Sequence, residues 1–99
     1  MKDVWIGQIG IWGQRHYQYL KENKPTTVNV MRMNGSLKSY LREVNEQAEE
    51  MLFQLVKQLA VQEGITEELK RRDQMLWVAS MNSIRNRAEE IVLNYLIIK

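Results

Sequence analysis

Helical periodicity is regular in the segment from Thr66 to Ile98, which reads TEELKRRDQMLWVASMNSIRNRAEEIVLNYLII. Apolar residues recur along it in alternating steps of four and three, a spacing that forms a seam along one side of a helix. The members of this seam are Trp77, Met81, Ile84, Ala88, Ile91, Tyr95 and Ile98. The segment therefore predicts a long amphipathic helix that needs an apolar partner.

The stretch before it, from Ser36 to Glu63, carries a matching seam that drifts around the helix. Its members are Leu37, Leu41, Val44, Ala48, Met51 and Leu55, followed by Leu52, Val56 and Leu59. Gly64 suits the left-handed residue that ends a helix, and Thr66 suits the N-cap of the next. Because so short a connection makes two helices antiparallel neighbours, residues 36–98 are predicted to form a helical hairpin turning at 63–66.

In the N-terminal third of the chain, the sequence patterns extend over shorter segments. Residues 1–13 combine tryptophans with three glycines, which penalise a helix, and are predicted to form an irregular arm. Residues 14–34 are predicted to form short helices interrupted by Pro25. The predicted fold is thus all-α and a single domain over residues 1–99: a long antiparallel helical hairpin with one or two short N-terminal helices packed across it.

Composition excludes several classes of site. The 99 residues contain no cysteine, which removes disulfides and thiolate metal sites, and the only histidine, His16, is interpreted as a surface or boundary residue. No apolar run approaches the roughly 20 residues of a membrane span. Adjacent glutamates on a helix diverge by about 100° and cannot converge on one substrate atom. We therefore expect a soluble protein without enzymatic activity, metal or cofactor.

Two basic groups are candidates for contact with nucleic acid, although the net charge of +2 does not by itself indicate DNA binding. They are Arg15, Lys21 and Lys24, which lie among aromatic residues, and Lys70, Arg71 and Arg72, near the hairpin turn. Acidic residues lie beside or within both groups, so the alternative interpretation is that each group belongs to an ordinary solvated helix face. A helix-turn-helix centred on Gly64 is a weaker alternative, because Lys70 and Asp73 stand where its second helix needs apolar residues.

A two-helix hairpin leaves its ends poorly covered, and exposed apolar ends favour contact with another chain. The oligomer-interface candidates are Trp77, Tyr95, Ile97 and Ile98. We accordingly expect a homo-oligomer.

Several segments carry a family resemblance: IGIWGQR at 9–15, QAEEM at 47–51, EGITE at 63–67, and MNSIRNRAEEIV at 81–92. Together they resemble the TnpV family, small proteins encoded on bacterial transposons and conjugative elements. The resemblance implies a mobile-element context and cytoplasmic residence, and it brings no catalytic residue set.

Two functions stay open on these grounds. One is a non-enzymatic accessory or regulatory protein that acts by binding DNA or mobile-element proteins. The other is a helical protein–protein interaction module without nucleic-acid binding. Neither function involves a membrane.

Overall fold

The protein is built from helices joined by short turns throughout residues 5–98, the part of the chain that this computed structural model describes. In chain order they are a 3-10 turn, Ile6–Gln8, then α1, Ile11–Asn23; α2, Pro25–Met33; α3, Leu37–Gln62; α4, Glu67–Arg72; and α5, Gln74–Val92, which continues into a π-helical turn, Leu93–Ile97. No strand occurs among these described residues, and the all-α prediction is confirmed.

The N-terminal helices are longer than the local sequence pattern predicts. Helix α1 begins at Ile11, so the predicted irregular arm is shorter than residues 1–13, and its first four residues lie outside the described part. Pro25 occupies the first position of α2, where its missing N–H is not needed. The same proline ends α1, as predicted, because it disfavours the helical conformation of the residue before it.

The chain reverses at Asp73 rather than at residues 63–66. The guanidinium of Arg87 donates to both carboxylate oxygens of Glu63, at 2.6 and 2.8 Å, across 24 residues of sequence. The ammonium of Lys70 lies 4.7 Å from the ring centroid of Trp77. These pairings show that α3 and α4 follow one another along α5. The predicted turn at 63–66 is therefore a bend between α3 and α4, and the predicted second arm is two helices.

Capping chemistry explains both breaks. Gly64 adopts a φ of 69°, and the N–H of Ile65 donates to the carbonyl of Ala60 at 2.9 Å, which satisfies the end of α3. Thr66 Oγ1 accepts from the N–H of Leu69 at 3.2 Å and begins α4. Asp73 Oδ1 accepts from the N–H of Leu76 at 3.1 Å and begins α5 in the same way.

Burial is concentrated at one end of the molecule. One apolar cluster joins α1, α2 and the start of α3, and a second joins α1, α3 and the C-terminal turn. Their buried members are Ile9, Tyr17, Leu20, Val28, Leu37 and Leu41, and Trp12, Val44, Ala48, Val92 and Ile97. We call residues 5–45 the N-terminal lobe, the paired part of α3 and α5 beyond it the shaft, and α4 with the first turn of α5 the tip.

The buried face of α5 departs from the predicted seam towards its C-terminal end. Ile84, Ala88 and Val92 are fully buried and follow one another in steps of four, so the buried face drifts away from Ile91. The π-helical turn then shifts the register further, because the N–H of Ile98 donates to the carbonyl of Leu93, five residues back. As a result Tyr95 is exposed, although the seam predicts it to be buried.

Candidate nucleic-acid interface

The first basic group lies on the N-terminal lobe together with three basic residues that sequence reasoning did not select. Arg15 and Lys21 are exposed on α1, and Lys24 follows that helix directly. The fold adds Arg32 from α2 and Lys38 and Arg42 from the first turns of α3. These additional residues are far from Arg15 in sequence, and only the packing of three helices places them on one lobe.

The second basic group lies at the tip, away from the lobe. Lys70, Arg71 and Arg72 form the last turn of α4, where positive charge suits the carbonyl end of a helix. Helix α3 separates the two groups, and its 26 residues extend about 39 Å at the usual rise. The structure therefore does not bring the two predicted groups into one surface.

Charge is segregated along the described chain. The N-terminal lobe, residues 5–45, contains six lysines and arginines and two acidic residues, Glu22 and Glu43. Residues 46–66 contain four glutamates and one basic residue, Lys57. Within residues 5–98, no carboxylate pairs with Arg15, Lys38 or Arg42. The small net charge of the chain therefore results from a basic lobe and an acidic shaft that nearly cancel.

Helix α1, which carries the first basic group, is fixed to α3 by Asn45. The Oδ1 atom of Asn45 accepts from the backbone N–H groups of Trp12 and Gly13, both at 3.0 Å. These are two of the backbone N–H groups at the start of α1, which have no acceptor within the helix and no side-chain cap from Gly10. Gly10 allows this approach, because a Cβ atom there would lie 2.4 Å from the Asn45 amide and its φ is 92°.

His16 joins the same region to the C-terminus. Its Nδ1 lies 2.7 Å from the carbonyl oxygen of Ile97, and its Nε2 lies 2.9 Å from the Tyr40 hydroxyl. Burial, and to a smaller degree the charge of Glu43, raises the pKa of Tyr40 above its usual value. With 4% of its surface exposed, His16 is buried, so its interpretation as a surface or boundary residue is wrong.

Aromatic rings support several of the basic side chains. The Arg15 guanidinium carbon lies 4.9 Å from the Trp12 ring centroid, and Lys21 Nζ lies 5.0 Å from that of Tyr17. Cation–π attraction of this kind orients the side chain while its charge stays accessible to solvent. Trp12 itself is buried, so it offers no free face on which a base could stack.

The oligomer-interface candidates occupy different environments. Tyr95 and Ile98 are exposed, and Trp77 is half-buried beneath Lys70. Ile97 is 0% exposed and belongs to the cluster that joins α1, α3 and the C-terminal turn. It therefore contributes to the core of its own chain and has no surface to offer a second chain, which corrects its place among the candidates.

Other kinds of site are not formed by the described residues. Among residues 5–98, no three His, Asp or Glu side chains are grouped so that they could hold a metal ion. None of the helices in that range combines the length and apolar character that crossing a membrane requires.

Comparison with known proteins identifies a family. No curated protein and no solved structure matches the chain significantly. The family model described as transposon-encoded protein TnpV, in contrast, matches residues 3–97, which include the basic lobe, the shaft and the tip. Because the match covers nearly the whole sequence, the chain belongs to the TnpV family.

Proposed function

We propose that the protein is a non-enzymatic accessory protein of a bacterial transposon or conjugative element, resident in the cytoplasm, that binds DNA through its N-terminal lobe. The observation that carries this proposal is the charge segregation, with six basic residues and two acidic residues in the lobe, residues 5–45. A compact lobe with such a surplus attracts phosphates, although the whole chain is close to neutral.

The connection between α2 and α3 supports a particular orientation on DNA. Three residues, Asn34, Gly35 and Ser36, join the two helices, and Gly35 has a φ of 80°. Helix-turn-helix motifs use short turns of this kind, often with glycine, and direct the N-terminal residues of the second helix to the DNA. In this protein that second helix would be α3, not the helix after Gly64.

The first turns of α3 carry suitable side chains for this role. Lys38 and Arg42 stand four residues apart on the same side of the helix, and the Ser39 hydroxyl lies between them in sequence. Arg42 and Ser39 are exposed and Lys38 is half-exposed. Lysine and arginine contact phosphates, and arginine can also read guanine in the major groove. Arg15, Lys21 and Lys24 would add contacts from α1.

The test is binding of purified protein to fluorescently labelled duplex and single-stranded oligonucleotides at low and at physiological salt. The proposal predicts duplex binding at low salt that weakens steeply as salt is added, because phosphate contacts release counterions. Absence of binding to both oligonucleotides at low salt would overturn it.

The N-terminal half of α5, which begins in the tip, favours a second candidate function, binding of a protein partner alone. Met75 is 85% exposed, and Leu76 and Val78 are also exposed. A shallow groove of about 450 Å³ lies here between Met75, Val78 and Asn82. Exposed apolar side chains around a groove favour protein contact. Met75→Glu would abolish capture of an element-encoded partner under this alternative, and it would leave DNA binding by the lobe unchanged.

A further inference from the structure

The protein exposes more surface than a compact chain of its mass. Its accessible surface is 6951 Å² for 11.8 kDa, whereas the usual scaling gives about 5,900 Å². Its radius of gyration is 17.1 Å, against about 12.6 Å for a compact domain of this length. The surplus of about 1,000 Å² is close to the roughly 800 Å² that each partner buries in a standard interface.

The ion pair between Glu63 and Arg87 identifies a face of the shaft that carries some of the exposed apolar side chains. The pair joins α3 to α5, so the helical positions in phase with each partner share one broad side of the shaft. In phase with Glu63 are Ala60, Val56, Phe53 and Leu52; in phase with Arg87 are Ser80, Leu76, Ile91 and Tyr95. We call this side the bridge face.

Beside its ion pair, the bridge face carries apolar side chains that are only partly covered. Phe53 is 57% exposed, Leu76 51% and Ile91 43%, while Val56 and Ala60 are half-buried. An open groove of about 560 Å³ runs beside Ile91 and is also lined by Arg87, Glu90, Asn94 and Tyr95. Two helices alone cannot cover an apolar arc of this width, so the shaft resembles half of a four-helix bundle.

We propose that the bridge face packs against the bridge face of a second copy of this chain, forming an antiparallel two-fold dimer with a four-helix shaft. A two-fold interface uses the same patch on both copies, and the exposed apolar side chains of Phe53, Leu76 and Ile91, spread over two helices, can form such a patch. The area also suits a second copy, because one interface of standard size removes most of the surplus surface.

The distribution of charge along the shaft and α4 favours an antiparallel orientation of the two copies. The part of the shaft next to the lobe carries Glu46, Glu49 and Glu50. At the tip, the first turn of α4 carries Glu67 and Glu68, and its last turn carries Lys70, Arg71 and Arg72. Antiparallel packing places the basic last turn of α4 in each copy beside the acidic stretch of the other. Parallel packing would place the two basic last turns together. Complementary charges favour the first arrangement and like charges disfavour the second.

The dimer also specifies the placement of the N-terminal lobes, which would lie at opposite ends of the four-helix shaft. The inference goes beyond DNA binding and stands independently of it. A chain that dimerises without binding DNA would overturn the proposed function alone, and a monomer that binds DNA would overturn the dimer alone.

The first test is the mass of the full chain in solution by light scattering and sedimentation. The dimer predicts twice 11.8 kDa. Ile91→Glu or Phe53→Glu would bury an unpaired charge in the interface and should raise the dimer dissociation constant by at least about 100-fold. Val61→Glu is the matched control, because Val61 is 80% exposed on α3 outside the bridge face. Circular dichroism checks that each variant remains helical.

Three results would overturn the proposal. They are a monomeric wild-type chain, a dimer that tolerates both Ile91→Glu and Phe53→Glu, and equal loss of the dimer in Val61→Glu. A folded Ile91→Glu monomer beside a dimeric Val61→Glu variant would support it.

Charge reversal tests the orientation. One variant carries Lys70→Glu, Arg71→Glu and Arg72→Glu, and the other carries Glu46→Lys and Glu50→Lys. Each variant alone should dimerise at least about tenfold more weakly, because like charges meet at both ends of the antiparallel dimer. A mixture of the two should form heterodimers, since both ends then regain complementary charges. Failure of the mixture to restore dimers would contradict antiparallel packing.

Discussion

The Nδ1 atom of His16 lies 2.7 Å from the carbonyl oxygen of Ile97, a contact that ties the first α-helix to the C-terminal turn across 81 residues. Because a carbonyl oxygen can only accept, Nδ1 donates this hydrogen bond. In the neutral ring Nε2 then accepts from the Tyr40 hydroxyl. One buried imidazole thus joins α1, α3 and the π-helical turn, and it holds the lobe that carries the basic side chains.

Replacement of His16 should destabilise the whole lobe. His16→Ala removes both hydrogen bonds and leaves a cavity beside the buried Ile97, so we expect the free energy of unfolding to fall by about 2–4 kcal/mol. Tyr40→Phe removes only one of these bonds and should cost about 1 kcal/mol. Urea denaturation followed by circular dichroism measures both. A smaller loss for His16→Ala than for Tyr40→Phe would contradict this role.

Gly10 and Asn45 should show strong energetic coupling. Asn45→Ala removes the acceptor for two α1 N–H groups and should cost about 1–3 kcal/mol. Gly10→Ala is also unfavourable, because its Cβ would lie 2.4 Å from the Asn45 amide. The double variant should lose less than the sum of the two single losses by about 0.5–2 kcal/mol, since the amide that collides with the introduced methyl group is then absent. Additive losses in a denaturation cycle would show that the two sites act separately.

The pairing of Glu63 with Arg87 should be visible in a titration. The hydrogen bond from Arg87, and then its charge, hold the pKa of the Glu63 carboxyl below its usual value. Folding therefore gains stability from this carboxylate above the usual glutamate pKa, and that contribution is lost as pH falls through the lowered folded-state pKa. Arg87→Ala should raise the Glu63 pKa towards its usual value in a carboxyl NMR titration. Arg85→Ala is the control, and an equal rise there would argue against the specific pair.

The reversal at Asp73 makes a prediction about helix capping. Asp73→Ala removes the acceptor for the Leu76 N–H and should cost about 1 kcal/mol, whereas Asp73→Asn keeps an oxygen acceptor and should cost less. Thermal unfolding of the two variants measures the difference. Equal melting temperatures for the alanine and asparagine variants would contradict the capping role of Asp73.

Local patterns predicted the helices well and their arrangement less well. Pro25, Gly64 and Thr66 act as predicted, because each works through contacts within a few residues. The reversal could not be located in this way. Thr66 and Asp73 both cap a helix in the structure, and only the long-range pairing of Glu63 with Arg87 shows which break closes the hairpin.

The site was accessible from sequence only in part. Arg15, Lys21 and Lys24 are near neighbours in sequence and were recognised as a group, whereas Lys38 and Arg42 lie on another helix. The cap that Asn45 provides for α1 left no local signal either, because it comes from 33 residues away. Contacts between distant segments therefore define the basic lobe.

The most direct test of DNA binding by the lobe compares the salt dependence of duplex-DNA affinity for three proteins by fluorescence anisotropy. They are wild type, Lys38→Ala/Arg42→Ala on the lobe, and Lys57→Ala/Arg85→Ala, which removes one lysine and one arginine from the shaft. We expect at least about tenfold weaker binding for the lobe variant, and a salt slope smaller by about one for each phosphate that the variant no longer neutralises, with the shaft variant like wild type. No binding by wild type at low salt, or equal weakening in both variants, would contradict DNA binding through the lobe.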